Sequence, residues 1–174
     1  MEKLFYAETS AFPSSQDAVY KILREYFRLE NAVIEKTETG KPLLRLENGR
    51  LFFSVTHTAK RLFIAFCDEN VGIDAEELTR DVHYLPIVKK FPPQESAEID
   101  SREEFLRHWT VKESAVKWLG GTLAKDLNKL CFAQNQLSYN GLDIPVYVTT
   151  RIFDGHVLSI CSECNFENTE FITL

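Results

Sequence analysis

The sequence predicts an α+β protein made of two similar halves, each a helix packed on antiparallel strands. Three observations predict it. Apolar residues recur at helical spacing in two stretches, one near residue 20 and one past residue 100. Each stretch is followed by short apolar runs separated by turn residues. The 174 residues suffice for one domain or two small halves. The halves share an order of elements but no sequence identity, so they are expected to pack about a pseudo-twofold axis with a cleft between them. The expected division is residues 1–80 and 81–174, forming one compact pseudo-dimeric unit.

Residues 3–7 alternate and predict a first strand. Ser14, after Pro13, is an N-cap candidate. Val19, Ile22, Leu23, Tyr26 and Phe27 then predict an amphipathic helix over 15–29. Ala32–Glu35 is a short strand. Gly40-Lys41-Pro42 is a turn, with Lys41 extended because proline follows it. Asn48-Gly49 signals a hairpin joining Leu43–Leu46 to Leu51–Val55. Leu62–Cys67 is continuously apolar, as in a buried strand. Pro86, Pro92 and Pro93 allow only short helices over 82–99. Ser101-Arg102-Glu103-Glu104 is a capping box opening a helix that stops at Gly120-Gly121. Leu130–Phe132, Gln136–Tyr139, Val146–Ile152 and His156–Cys161 read as strands, with hairpin turns at Asn140-Gly141 and Asp154-Gly155.

The net charge of −6 lacks the basic excess of a nucleic-acid binder, so no such partner is expected. No apolar run approaches a membrane span, and the charged start Met1–Phe5 lacks the apolar core of a signal peptide. A cytoplasmic protein is expected, with its four cysteines as reduced structural thiols. Cys161-x-x-Cys164 has no second pair for zinc, since Cys67 and Cys131 each stand alone.

Two patterns carry chemistry. In Val71-Gly72-Ile73-Asp74-Ala75-Glu76, the two carboxylates lie two apart on a strand, hence on one face with Cα atoms roughly 7 Å apart. Like charges so close repel unless a cation or a proton intervenes, and a hard divalent ion suits their oxygens. A solvated pair on an exposed strand face is the alternative. On the later helix, Trp109, Glu113 and Lys117 follow at i, i+4 and share one face. There the alternative is an ordinary surface ion pair.

Taken together, these pieces resemble the 4′-phosphopantetheinyl transferases, in the larger two-halved surfactin-synthetase-activating type. Gly40-Lys41-Pro42 is similar to the family's G-K-P turn, and Phe53–Thr58 to its F-N-x-S-H-S segment. Val71–Glu76 is similar to V-G-[IV]-D-x-E, and Lys90–Glu95 more loosely to R-F-[FL]-S-x-x-E. Phe105, Trp109, Lys112, Glu113, Ser114 and Lys117 match F-x-x-x-W-x-x-K-E-[AS]-x-x-K at every fixed position. Gly121-Thr122-Leu123 follows where the family has G-x-G-L. The resemblance spans about residues 40–123 in the correct order. Ser54 replaces a frequent Asn and Thr58 a Ser, while Lys3, Lys21, Arg24 and Arg28 fall in no family motif.

The resemblance implies the family's fold and its reaction: transfer of phosphopantetheine from coenzyme A to a serine of an apo acyl or peptidyl carrier protein, releasing adenosine 3′,5′-bisphosphate. It implies Mg²⁺, or Mn²⁺, held by Asp74, Glu76 and Glu113. Glu113 and Lys117 would be catalytic, Glu113 as general base and Lys117 on the pyrophosphate. Lys41, Thr56, His57, Lys112 and Lys117 would contact coenzyme A, with His57 on its 3′-phosphate. A monomer is expected. The alternative is a carrier- or coenzyme-binding module of the same fold without efficient transfer. Intact Asp74, Glu76, Glu113 and Lys117 favour the enzyme.

Overall fold

The computed structural model describes residues 1–47 and 49–174. Its elements run β1 (Lys3–Glu8), α1 (Ser15–Glu25), β2 (Val33–Lys36), β3 (Pro42–Arg45), β4 (Phe52–His57), β5 (Arg61–Cys67) and β6 (Val71–Glu77). There follow α2 (Leu85–Val88), α3 (Pro93–Ser96), α4 (Arg102–Leu119), α5 (Leu123–Asp126), β7 (Leu130–Ala133) and β8 (Gln136–Tyr139). The chain closes with β9 (Leu142–Asp143), β10 (Tyr147–Phe153), β11 (His156–Ser162) and β12 (Phe171–Thr173). The α+β class is as expected.

Two sheets and two long helices form four layers. The first sheet has order β12-β1-β5-β4 and the second β10-β11-β6. Strand alternation sends Leu62, Ile64 and Phe66 of β5 to one face, where they pack with Ala18, Val19, Ile22 and Leu23 of α1. The intervening Phe63, Ala65 and Cys67 pack on the opposite face with Ile73 of β6 and Leu158 and Ile160 of β11. Covered on both faces, β5 needs an unbroken apolar run. Each fully buried Leu, Ile or Phe of this run contributes about 1.5–3 kcal/mol.

Three expectations are corrected. The strand bearing Asp74 falls within residues 1–80, where its partners were expected among the preceding strands; β6 instead pairs with β11, with Asp74 opposite Ser159. Its backbone is tied to β4 by the Ile73 N–H, which donates to Ser54 Oγ at 3.1 Å. Among the described residues, the hairpin pairing expected between Leu43–Leu46 and Leu51–Val55 is not made. β3 pairs with β2 across the turn containing Gly40, while β4 pairs with β5; Asn48 itself lies outside the described residues. The cysteines are not all thiols. Cys67, at the end of β5, is bonded to Cys164, beyond β11, while Cys131 and Cys161 are buried and free. Cys161 lies under α4 in the second core, so the C-x-x-C spacing does not form a pair.

Capping follows the sequence. Ser14 accepts the Asp17 N–H, and Ser101 accepts the Glu104 N–H at 3.2 Å. Helix α4 ends at Gly120, whose φ of 67° is left-handed. The first helix stops at Glu25, short of the expected residue 29, and Arg28 takes a positive φ. Strand β12 was not foreseen; its three residues add to β1 in parallel. Among the described residues, no helix is long and apolar enough to cross a membrane.

Candidate active site

Gly72 sets the geometry of the site. A Cβ built there would lie 1.9 Å from the Ser114 carbonyl oxygen and 2.6 Å from the Trp118 nitrogen. The backbone of α4 thus rests directly on β6, an approach only glycine permits. Residues 72, 74 and 76 share the β6 face turned to α4, so Asp74 and Glu76 run on from that crossing toward Glu113 and Lys117. Strand and helix patterns that were separate in the sequence converge here.

Asp74 is 6% exposed. Its Oδ1 accepts from Thr56 Oγ1 at 3.0 Å and from Lys117 Nζ at 2.8 Å. Lys117 also donates to the Ile73 carbonyl at 2.8 Å. Glu76 is half-buried and ion-paired with Arg80. Burial raises the Glu76 pKa, Arg80 opposes the rise and Asp74 adds to it. Glu113 is pushed up to about 7, first by burial, then by the neighbouring charge of Asp74, with Lys117 opposing.

These shifts fix a pH dependence. The folded protein holds the Glu113 proton more tightly than the unfolded chain does. The stability tied to this proton is full below the ordinary value of 4.5 and is lost as pH rises toward 7. Glu113→Gln removes that loss. Without divalent ions, its unfolding free energy relative to the parent, from denaturant melts, should rise between pH 5 and pH 8 by about 1–2 kcal/mol after screening. A difference that does not change with pH contradicts this account of Glu113.

The donor set is all carboxylate and carries excess negative charge, which suits a hard divalent ion. Lys117 and Arg80 neutralise part of that charge. Among the described residues, Cys67, Asp68 and Cys164 are the group of three whose ligand atoms lie within 4.8 Å of one another. Asp74, Glu76 and Glu113 are set more widely, with Asp74 drawn to Lys117 and Glu76 to Arg80.

The other site residues separate into three places. Thr56 is buried, and its hydroxyl donates to Asp74, so it orients the carboxylate. His57 is exposed at the end of β4, and the following Thr58 is hydrogen-bonded to His156 Nε2 at 3.0 Å. Lys41 donates to Asn70 Oδ1 at 2.6 Å and to the Trp118 carbonyl at 3.0 Å, and burial lowers its pKa to about 8. It lines a cleft of about 260 Å³ with Gly40, Pro42, Ser54, Lys117 and Gly121.

Lys112 requires correction. It is fully buried on the far side of α4, where Nζ donates to Glu95 Oε2 and to the Leu130 carbonyl, each at 2.7 Å. The ammonium also sits 4.2 Å from the Phe91 ring centroid. Lys112 and Glu113 are adjacent, and neighbours on a helix point about 100° apart, so the lysine cannot share the carboxylates' face. Its pKa is lowered by burial and restored in part by Glu95.

Sequence reasoning missed Arg80, whose only signal was its place four residues after Glu76. It missed Asn70, which links Lys41 to the end of α4 and had no motif to mark it.

Comparison with known proteins places the chain in a family. The family model described as the 4′-phosphopantetheinyl transferase superfamily matches residues 70–161. The chain is also similar to the 4′-phosphopantetheinyl transferase gsp of Aneurinibacillus migulanus, 24% identical over 144 residues. That match covers 76% of the chain and 59% of the relative, so the chain spans about three-fifths of the relative's length.

Proposed function

Since the chain belongs to the 4′-phosphopantetheinyl transferase superfamily, we propose that it moves the phosphopantetheine arm of coenzyme A onto a serine of an apo acyl or peptidyl carrier protein. Adenosine 3′,5′-bisphosphate is the other product. The observation that carries this reading is the crossing at Gly72, which brings Asp74 and Glu76 of β6 to Glu113 and Lys117 of α4.

Asp74, Glu76 and Glu113 are the residues that would hold Mg²⁺ or Mn²⁺. Such an ion, when bound, neutralises pyrophosphate oxygens and lowers the charge barrier to an attacking hydroxyl. The remaining roles belong to the chain. Glu113, facing Asp74 and Lys117 across the crossing, is placed to accept the serine proton. Lys117 is held in place by Asp74 and two backbone carbonyls and sets a fixed positive charge beside the cleft. Lys41 supplies positive charge and His57 a hydrogen bond for the nucleotide phosphates. Both layers of the site come from one chain, which supports a monomer, acting in the cytoplasm.

The test is to incubate the protein with coenzyme A, Mg²⁺ and apo carrier proteins of the acyl and peptidyl kinds. Intact mass should rise by one phosphopantetheine on at least one of them. Carrier or coenzyme binding with no mass gain across the panel would favour the non-transferring module instead.

A further inference from the structure

We propose that Cys67 and Cys164 form a reversible thiol–disulfide modification site that clamps the two sheets beside the candidate active site. The sulfurs are bonded across a sequence separation of 97 residues. The link ties the end of β5 in the first sheet to the segment leaving β11 in the second. The two sulfurs differ in access. Cys67 is fully buried, whereas Cys164 is half-buried. The Cys67 sulfur accepts the Glu69 N–H at 3.4 Å, and Asp68 Oδ1 lies 3.8 Å from it and 3.6 Å from the Cys164 sulfur. The Glu69 N–H favours charge on this enclosed sulfur and the Asp68 carboxylate opposes it, so it is the difference in access that makes Cys67 the resolving partner. The accessible partner is the one an external disulfide can reach.

The oxidant is a low-molecular-weight disulfide such as oxidised glutathione. The Cys164 thiolate attacks one of its sulfurs, the external S–S bond breaks, and a first thiol leaves with a proton. The Cys67 thiolate then attacks the Cys164 sulfur of the mixed disulfide, forming the internal bond and expelling the second thiol with the second proton. Two protein thiols are oxidised and one external disulfide is reduced to two thiols. Excess reduced glutathione drives the reverse exchange.

The clamp acts on the turn that leads into β6. Ser162 Oγ accepts the Cys164 N–H at 3.1 Å and donates to the Asn70 carbonyl at 2.8 Å. The Asn70 side chain in turn accepts from Lys41 and donates to the Trp118 carbonyl at 2.6 Å. The disulfide therefore rigidifies the turn that holds Lys41 at its cleft. The consequence for coenzyme binding rests on the function proposed above; the modification itself does not.

The full-length protein is equilibrated in glutathione buffers from fully reduced to fully oxidised, alkylated, and mapped by mass spectrometry. Cys67 and Cys164 should lose reactivity together and be recovered in one disulfide-linked peptide pair. The thermal midpoint should rise by roughly 10 °C on oxidation, the range for a bond closing a long loop in a chain of this size. Amide exchange over 68–71 should slow. Cys164→Ser should show none of these responses to the buffer. Both cysteines remaining alkylatable in oxidised glutathione would overturn the proposal. So would a Zn²⁺ ion released by alkylation in place of a disulfide, or an unchanged midpoint in the parent. None of these measurements uses coenzyme A or a carrier, so a failed loading assay alone counts against the transferase reading only.

Discussion

Asp74→Ala is expected to slow carrier loading by about 10³-fold, the scale on which a preorganised electrostatic group contributes to catalysis. Three effects combine. The change deletes a carboxylate from the set proposed to hold the divalent ion. It deprives Lys117 of its charged partner, leaving the ammonium on the Ile73 and Val55 carbonyls alone. It also leaves the buried Thr56 hydroxyl without an acceptor. The thermal midpoint should move little, because losing the Lys117 pair is offset by relief of repulsion at Glu113 and Glu76. Loading rates at saturating coenzyme A, Mn²⁺ titration and a thermal melt test this together. A variant that loads carriers normally removes Asp74 from the site. A variant that melts far below the parent makes Asp74 structural.

What the sequence disclosed about this site depended on period. Two-residue spacing placed Asp74 and Glu76 on one strand face, and four-residue spacing aligned Glu113 with Lys117. Both patterns are local, and both hold in the structure. Their meeting at Gly72 is a long-range event, and the glycine in the motif gave no hint of what would press against it. The same limit explains the misassigned strand partners. Apolar alternation tells which residues form β3 and β6 but not which neighbour each will hydrogen-bond. Lys112 misled for another reason. It sits inside the strongest motif of the chain, so position in a motif stood in for direction on the helix. Adjacent residues diverge by about 100° on a helix, which puts Glu113 toward the cleft and Lys112 away from it. The Cys67–Cys164 bond joins residues 97 apart, and only the stacking of the two sheets brings them together.

Lys112→Met should lower stability by about 3–5 kcal/mol, the cost of stranding one member of a buried ion pair. Glu95, Lys112 and His108 are all fully buried. Without the ammonium, the Glu95 carboxylate keeps only His108 Nδ1, a long contact at 3.4 Å. The Leu130 carbonyl also loses a donor. The deficit should grow as pH rises. An unpaired buried carboxylate takes up a proton in the folded state, so the variant is least penalised in acid and most penalised where the unfolded glutamate ionises freely. Adding Glu95→Met should restore part of the loss, because it removes the stranded charge while the Leu130 carbonyl still lacks its donor. A double variant no more stable than the single one would show that the pair is not the cause. Function separates this lysine from its neighbour. Below its melting point Lys112→Met should load carriers with an unchanged KM for coenzyme A, since α4 turns Lys112 toward Glu95 and Glu113 toward Asp74. A raised KM in folded Lys112→Met would return the lysine to the coenzyme site.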